Sequence, residues 1–173
     1  MAQLIVTAVG ADRPGLVGEL AGKLHEMGAN IIDTRMVNLR GQFAVLVLLE
    51  AEPAPAATIK SSANRLAEDT RLRISVVDHT SSVAATQGLP FKLKTYSMDQ
   101  PGLVAKIADV LRRHHVNIEE LTARQESAPF AGSLLFTLEA RLTVPANVPV
   151  RTLRSELQAV CDKLNCDLDL EPA

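Results

Sequence analysis

An α+β fold is predicted, made of two β-α-β-β-α-β units in tandem, each an antiparallel sheet with helices on one face. Three observations predict it. The hexapeptide DRPGLV at residues 12–17 returns as DQPGLV at residues 99–104. Short apolar runs rich in β-branched residues alternate with stretches of helical period. The stretch HTSSVAATQGLP at residues 79–90, small and polar with Gly and Pro at its end, has the composition of a linker between two halves.

The repeat extends well past the hexapeptide. A shift of 87 residues (99 − 12) superimposes Asp12, Pro14, Gly15, Leu16, Val17, Ala21, Leu24, Asn30 and Ile31 on Asp99, Pro101, Gly102, Leu103, Val104, Ala108, Leu111, Asn117 and Ile118, without a gap. An ungapped match that keeps its apolar rhythm is the signature of a duplicated unit. The expected organisation is a first domain over residues 1–79, a linker over 80–89 and a second domain over 90–173.

In the first unit QLIVTAV reads as a strand, ended by Gly10, Asp12 and Pro14. Leu16, Val17, Leu20, Ala21, Leu24 and Met27 recur at helical spacing. Pro14 suits the first helical turn, where its missing N–H would have no partner, and Gly28 suits the left-handed position after the end. NIIDTRMVNL and QFAVLVLLE flank Arg40-Gly41, a tight turn between antiparallel strands. Ile59, Ala63, Leu66 and Ala67 mark a second helix, and LRISVVD closes the unit as a strand.

The second unit repeats the order with FKLKTYS, a helix from Leu103 to Leu111, NIEELTAR, SLLFTLEARLTV, a helix carrying Val150, Leu153, Leu157, Val160, Cys161 and Leu164, and CDLDLEP. Two departures are visible. His115 stands where the first unit has Gly28, and the tight turn becomes a looser ESAPFAG at residues 126–132. The hairpins also differ. In the second, Leu134, Phe136, Leu138, Ala140, Leu142 and Val144 alternate with mostly polar residues, as in a sheet with one wet face. In the first, FAVLVLL is apolar on both faces, so another domain or a second subunit is expected to cover part of the outer one.

Composition bounds the function. With 47% hydrophobic residues, 22% charged and a net charge of −2, the chain reads as an ordinary globular protein that implies no polyanionic partner. The N-terminal apolar run has no basic leader and breaks at Asp12, so it reads as a strand, and a cytoplasmic location is expected. Cys161 and Cys166 have no histidine at metal-ligand spacing and read as small buried hydrophobes. RRHH at residues 112–115 reads as the solvated, dipole-complementing end of a helix. With aromatics at 3%, neither a nucleic-acid patch nor an RNA-binding sheet can be built. No phosphate loop, nucleophile elbow, Cys-x-x-Cys or His-Glu-x-x-His is present, so the chain reads as non-enzymatic, without cofactor or metal.

The β-α-β-β-α-β order, the Asp-x-Pro-Gly-Leu turn and the Asn-Ile opening of the next strand resemble the ACT domain, a ferredoxin-like small-molecule-binding module of amino-acid metabolism. Two such units filling the chain most resemble the glycine cleavage system transcriptional repressor family. The resemblance implies a sensor acting through a partner transcription factor. It also implies amino-acid binding at the turn between first strand and first helix, where two domains of the family meet side by side. A regulatory subunit docking on an enzyme of amino-acid metabolism is the alternative, and a homodimer is open to either.

The turn has suitable chemistry. Exposed N–H groups at a helix start attract a carboxylate, and glycine lets a ligand approach the backbone, which selects Gly15 and Gly102. An ammonium needs an acceptor, offered by Asp12, Asp99, Asn30 or Asn117. The expected arrangement joins the 10–16 and 97–103 turns, with Asn30 or Asn117 reaching across, and glycine is among the candidate ligands. Local capping is the competing role for each Asp and Asn. Arg13 and Gln100 occupy matching positions and read as solvated side chains whose difference makes two sites unequal.

Overall fold

The computed structural model describes residues 1–80, 87–127 and 134–173, in two compact units divided between Ser82 and Val83. The first contains β1 (Ala2–Ala11), α1 (Leu16–Glu26), β2 (Asn30–Leu39), β3 (Gln42–Ala51), α2 (Pro53–Ser61), α3 (Ala63–Thr70) and β4 (Arg73–Asp78). The second contains β5 (Gly88–Met98), α4 (Leu103–Arg113), β6 (Asn117–Ser127), β7 (Leu134–Pro145), α5 (Val150–Lys163) and β8 (Cys166–Pro172). Each unit has one four-stranded sheet, ordered β2-β3-β1-β4 or β6-β7-β5-β8, with every pairing antiparallel. The predicted α+β class is what forms.

Each core lies between one sheet face and the helices. In the first unit Leu4, Val6 and Ala8 of β1 and Phe43, Val45, Val47 and Leu49 of β3 alternate into it, meeting Leu16, Leu20 and Leu24 of α1, Ile59 of α2 and Leu66 of α3. The second core joins Leu93, Leu138 and Leu142 to Leu103, Ile107 and Leu111 of α4 and Leu153 and Leu157 of α5. Fully burying a leucine contributes about 1.5–3 kcal/mol, so these stripes decide which face of each element turns inward.

The repeat's turn chemistry appears in the backbone. Arg40 (φ 50°) and Gly41 (φ 87°) form the tight hairpin turn, with Leu39 opposite Gln42. Gly28 (φ 84°) ends α1, and His115 takes the same left-handed position after α4 at φ 53°. The looser turn expected at 126–132 lies mostly outside the described residues, as does most of the linker.

Three local features differ from expectation. Pro14 stands in the turn before α1, not in its first helical turn. The second helix of the first unit is two helices broken at Ser62, beside Thr58 and Ser61, whose hydroxyls donate to the Ala54 and Thr58 carbonyls at 3.0 Å each. Such side-chain bonds compete with the helical ladder and bend it. Strand β5 also begins at Gly88, inside the stretch expected to be linker. A Cβ there would stand 2.3 Å from the Val144 carbonyl oxygen, so glycine is what lets the strand close on β7.

The outer sheet faces differ between units. The register puts Ile5, Val9, Val37, Leu46 and Val77 together on the first, and Leu46 is 52% exposed. The corresponding face of the second presents Lys92, Lys94, Glu139 and Arg141, with Lys94 and Glu139 paired at 2.7 Å.

Candidate functional site

The two Asp-x-Pro-Gly-Leu segments form the same structure. Gly15 (φ 84°, ψ −4°) and Gly102 (φ 86°, ψ 3°) have the dihedrals of the second central residue of a type II turn, where proline is favoured at the first. Pro14 and Pro101 therefore set the turn, and each glycine caps the helix that follows. The Gly15 and Gly102 carbonyls accept the first helical bonds from Glu19 N–H at 2.9 Å and Lys106 N–H at 3.0 Å. Neither α1 nor α4 has a side-chain cap on its opening N–H groups. Among the described residues the space beside each glycine is open, since an added Cβ would meet nothing within 4 Å. N–H groups without a side-chain cap, the positive helix end and room to approach are the features that binding of a small carboxylate requires.

Side chains brace each turn in matching ways. Asp12 accepts from the Asn38 amide, and Asp99 accepts from the Gln125 amide at 2.6 Å. Asn38 and Gln125 are themselves 87 residues apart (125 − 38), so the brace was duplicated with the turn. The backbone repeats it, with Asp12 N–H on the Gly41 carbonyl at 2.9 Å and Asp99 N–H on that of Leu134 at 3.0 Å. Each aspartate keeps a second oxygen able to accept from an ammonium.

Arg13 and Gln100 are more committed than freely solvated side chains. Arg13 pairs with Glu19 and lies 3.5 Å from the Thr70 carbonyl, while Gln100 donates to the Leu164 carbonyl. Thr70 and Leu164 each precede a left-handed residue, Arg71 (φ 58°) or Asn165 (φ 47°), at the entry to the last strand. One brace is cationic and pairs with Glu19, and the other is neutral, with Lys106 standing at the place of Glu19.

Asn30 and Asn117 lie at the other end of their sheets. Asn30 stands opposite Glu50, which is opposite Gln3, whereas the Asp12 turn follows Ala11 opposite Gln42. Eight residues of β3 separate those levels, about 26 Å at ~3.3 Å per residue. One unit by itself therefore does not bring its asparagine to its own turn. Each amide is oriented alike, with Nδ2 donating to Glu50 at 3.0 Å or to Glu119 at 2.7 Å, which leaves Oδ1 as the free acceptor. The Thr143 hydroxyl first, and the Asn117 amide second, hold the Glu119 carboxyl below its usual range.

Sequence reasoning missed Asn38 and Gln125. The repeat offset could have found them, but nothing in their local pattern ties a strand end to the turn. RRHH lies at the end of α4 and of the turn after it, where Arg112 meets Asp109 at 2.7 Å and Arg113 meets Glu156 at 2.8 Å. Among the described residues no cluster of three or more His, Cys, Asp or Glu could hold a metal, and no helix is long and apolar enough to cross a membrane.

Known proteins share this architecture. The ACT domain family matches residues 2–77. The glycine cleavage system transcriptional repressor of Escherichia coli (strain K12) is 25% identical over 162 residues, spanning 94% of this chain and 85% of that protein. The crystal structure of an unknown protein from Galdieria sulphuraria superimposes with a TM-score of 0.81 at 27% identity, covering 99% of this chain and 98% of that one. A crystal structure assigned to a glycine cleavage system transcriptional repressor gives a TM-score of 0.73 over 98% of this chain and 96% of that one, and at 22% identity it speaks for the fold alone. Residues 2–77 match the ACT domain family, the second unit repeats the same topology, and the chain as a whole has two ACT-like ferredoxin folds in tandem and is similar to the glycine cleavage system transcriptional repressor.

Proposed function

We propose that this chain is a non-enzymatic amino-acid sensor of the glycine cleavage repressor type, controlling transcription through a protein partner. One observation carries the ligand half of this reading. The uncapped helix start behind an open glycine is built twice, each time with a braced aspartate beside it. The ligand's carboxylate takes the helix N–H groups and its ammonium takes the free oxygen of Asp12 or Asp99. A small amino acid suits the space, and glycine is the first to test. Similarity to the repressor across most of both chains supports the regulatory half. A net charge of −2 favours a protein partner over direct contact with nucleic acid.

The test is a thermal-shift screen of all twenty amino acids, confirmed by calorimetry. A ligand at one hundred times its Kd that binds only the folded state adds about 2.7 kcal/mol of stability, which reads as a clear rise in Tm. Gly15→Val and Gly102→Val should abolish the heat of binding while circular dichroism stays native. If no amino acid raises the Tm, or a hit persists in both folded variants, the turns are not the site.

The open apolar face of the first unit favours a protein partner as such, and an amino-acid-metabolic enzyme would satisfy it as well as a transcription factor. Co-purification from the native host, followed by mass spectrometry, separates the two.

A further inference from the structure

The two cores differ beneath the repeated turns. In the first unit Ala8, Gly10 and Leu72 fill this end, and a Cβ on Gly10 would stand 2.7 Å from Leu72 Cδ2. The same shift of 87 residues puts Thr95 and Ser97 at the places of Ala8 and Gly10. Cys166 follows the left-handed Asn165 as Leu72 follows the left-handed Arg71. Thr95 and Ser97 are buried, and their hydroxyl oxygens have no hydrogen-bond partner among the described residues. Cys166 lies opposite Ser97 in the β5–β8 ladder. An end that is tightly apolar in one unit thus holds two unsatisfied hydroxyls and a thiol in the other.

A second thiol shares the core cluster of the first, five residues earlier in the chain. Cys161 belongs to the same core cluster and has no exposed surface. Burial, and after it the neighbouring Cys166, push the Cys161 thiol up to about 12. A short reversal joins them, with Leu164 N–H on the Cys161 carbonyl at 2.9 Å, Asn165 N–H on that of Asp162 at 3.3 Å, and Asn165 left-handed. The chain thereby folds from α5 straight back into β8. The Leu164 carbonyl in this reversal is the one that receives the Gln100 amide.

We propose that Cys161 and Cys166 are a reversible thiol–disulfide pair whose closure stiffens the reversal that braces the Asp99–Leu103 turn. The oxidant is a low-molecular-weight disulfide, for which oxidised glutathione serves. Cys166, the less deeply buried, gives its proton to solvent and attacks one glutathione sulfur, forming a mixed disulfide and releasing one glutathione thiolate. That thiolate takes the Cys161 proton. The Cys161 thiolate then attacks the Cys166 sulfur and expels the second glutathione as a thiolate, which takes back a proton from solvent. Two cysteine thiols are oxidised by two electrons, and one glutathione disulfide is reduced to two thiols. In the folded state the protonated, buried Cys161 makes closure slow near neutral pH and faster under alkaline conditions.

The experiment treats the full-length protein with oxidised glutathione at mildly alkaline pH and reads intact mass, thiol titre in denaturant and amide exchange. The expected product has lost two hydrogens, carries no glutathione and titrates no thiol, and dithiothreitol restores both. Exchange across residues 99–103 should slow about tenfold in the oxidised form. Cys161→Ser should stop at a glutathione adduct on Cys166, and Cys161→Ala provides the same readout should serine fail to fold. The proposal is overturned if the wild-type chain keeps two free thiols or stops as the mixed disulfide. A disulfide that leaves exchange at 99–103 unchanged overturns its coupling to the turn.

Discussion

At the scale of single residues, the doubled turn is a backbone device before it is a binding device. Gly15 and Gly102 are required by their φ angles and not by crowding, because the space beside each is open. A left-handed non-glycine residue costs about 1–2 kcal/mol. Gly15→Ala and Gly102→Ala should each lose that much stability in urea denaturation, whereas Gly15→Asn, which tolerates the region, should lose less. An alanine variant as stable as its parent would show that the turn does not hold its left-handed shape. Glu119 has a pH signature. Its folded carboxyl lies below the usual range, so the stability it contributes is present above the ordinary carboxylate pKa and is lost as pH falls through the folded value. Glu119→Gln should therefore lower Tm slightly at neutral pH and flatten the acid limb of the Tm–pH curve. An unchanged acid limb would show that Thr143 and Asn117 do not hold the charge. Residue identities in the turn were readable from the sequence because repetition marked them. Their partners were not, since Asn38 and Gln125 meet the aspartates only once a hairpin has folded.

At the scale of elements, adjacent residues of β3 separate burial from partner contact. Val45 is 6% exposed and points into the core, while Leu46 is 52% exposed on the outer face. Val45→Asp would bury an unpaired charge and should cost more than about 4 kcal/mol, enough to unfold a marginal unit. Leu46→Asp should cost no more than about 1 kcal/mol, the span of strand propensity. Its effect should appear in assembly instead, as loss of partner capture or self-association in sedimentation. Equal damage to stability from the two would mean that the outer face is as buried as the core. Periods of two and 3.6 located most elements here because they have one side to bury, whereas β2, exposed along its whole length, was marked by its β-branched residues and the Arg40-Gly41 turn. The break at Ser62 escaped that reading. Ile59, Ala63, Leu66 and Ala67 keep helical spacing across it, and the interruption comes from hydroxyl-to-carbonyl bonds that leave no mark on apolar rhythm.

At the scale of the whole molecule, duplication gives each half a complete core of its own. All the buried hydrophobic residues described fall into two clusters, one drawn from residues 4–72 and the other from residues 91–170. The closing strand of each unit pairs with that unit's first strand, β4 with β1 and β8 with β5, so neither sheet borrows a strand from the other half. A unit of this size lies in the marginal range, where a few kcal/mol separate folded from unfolded, but no element of its own is missing. Residues 1–82 and 83–173, expressed separately, should therefore each fold, with cooperative urea transitions whose m-values together approach that of the full chain. Val45→Asp in the full chain gives an independent check, since it should erase amide protection across the first sheet and leave β5, β7 and β8 protected. Loss of protection in both sheets, or failure of both fragments to fold, would show that the units hold each other up. The two candidate sites would then respond to any ligand as one cooperative block, and the difference between Arg13 and Gln100 could no longer set them apart.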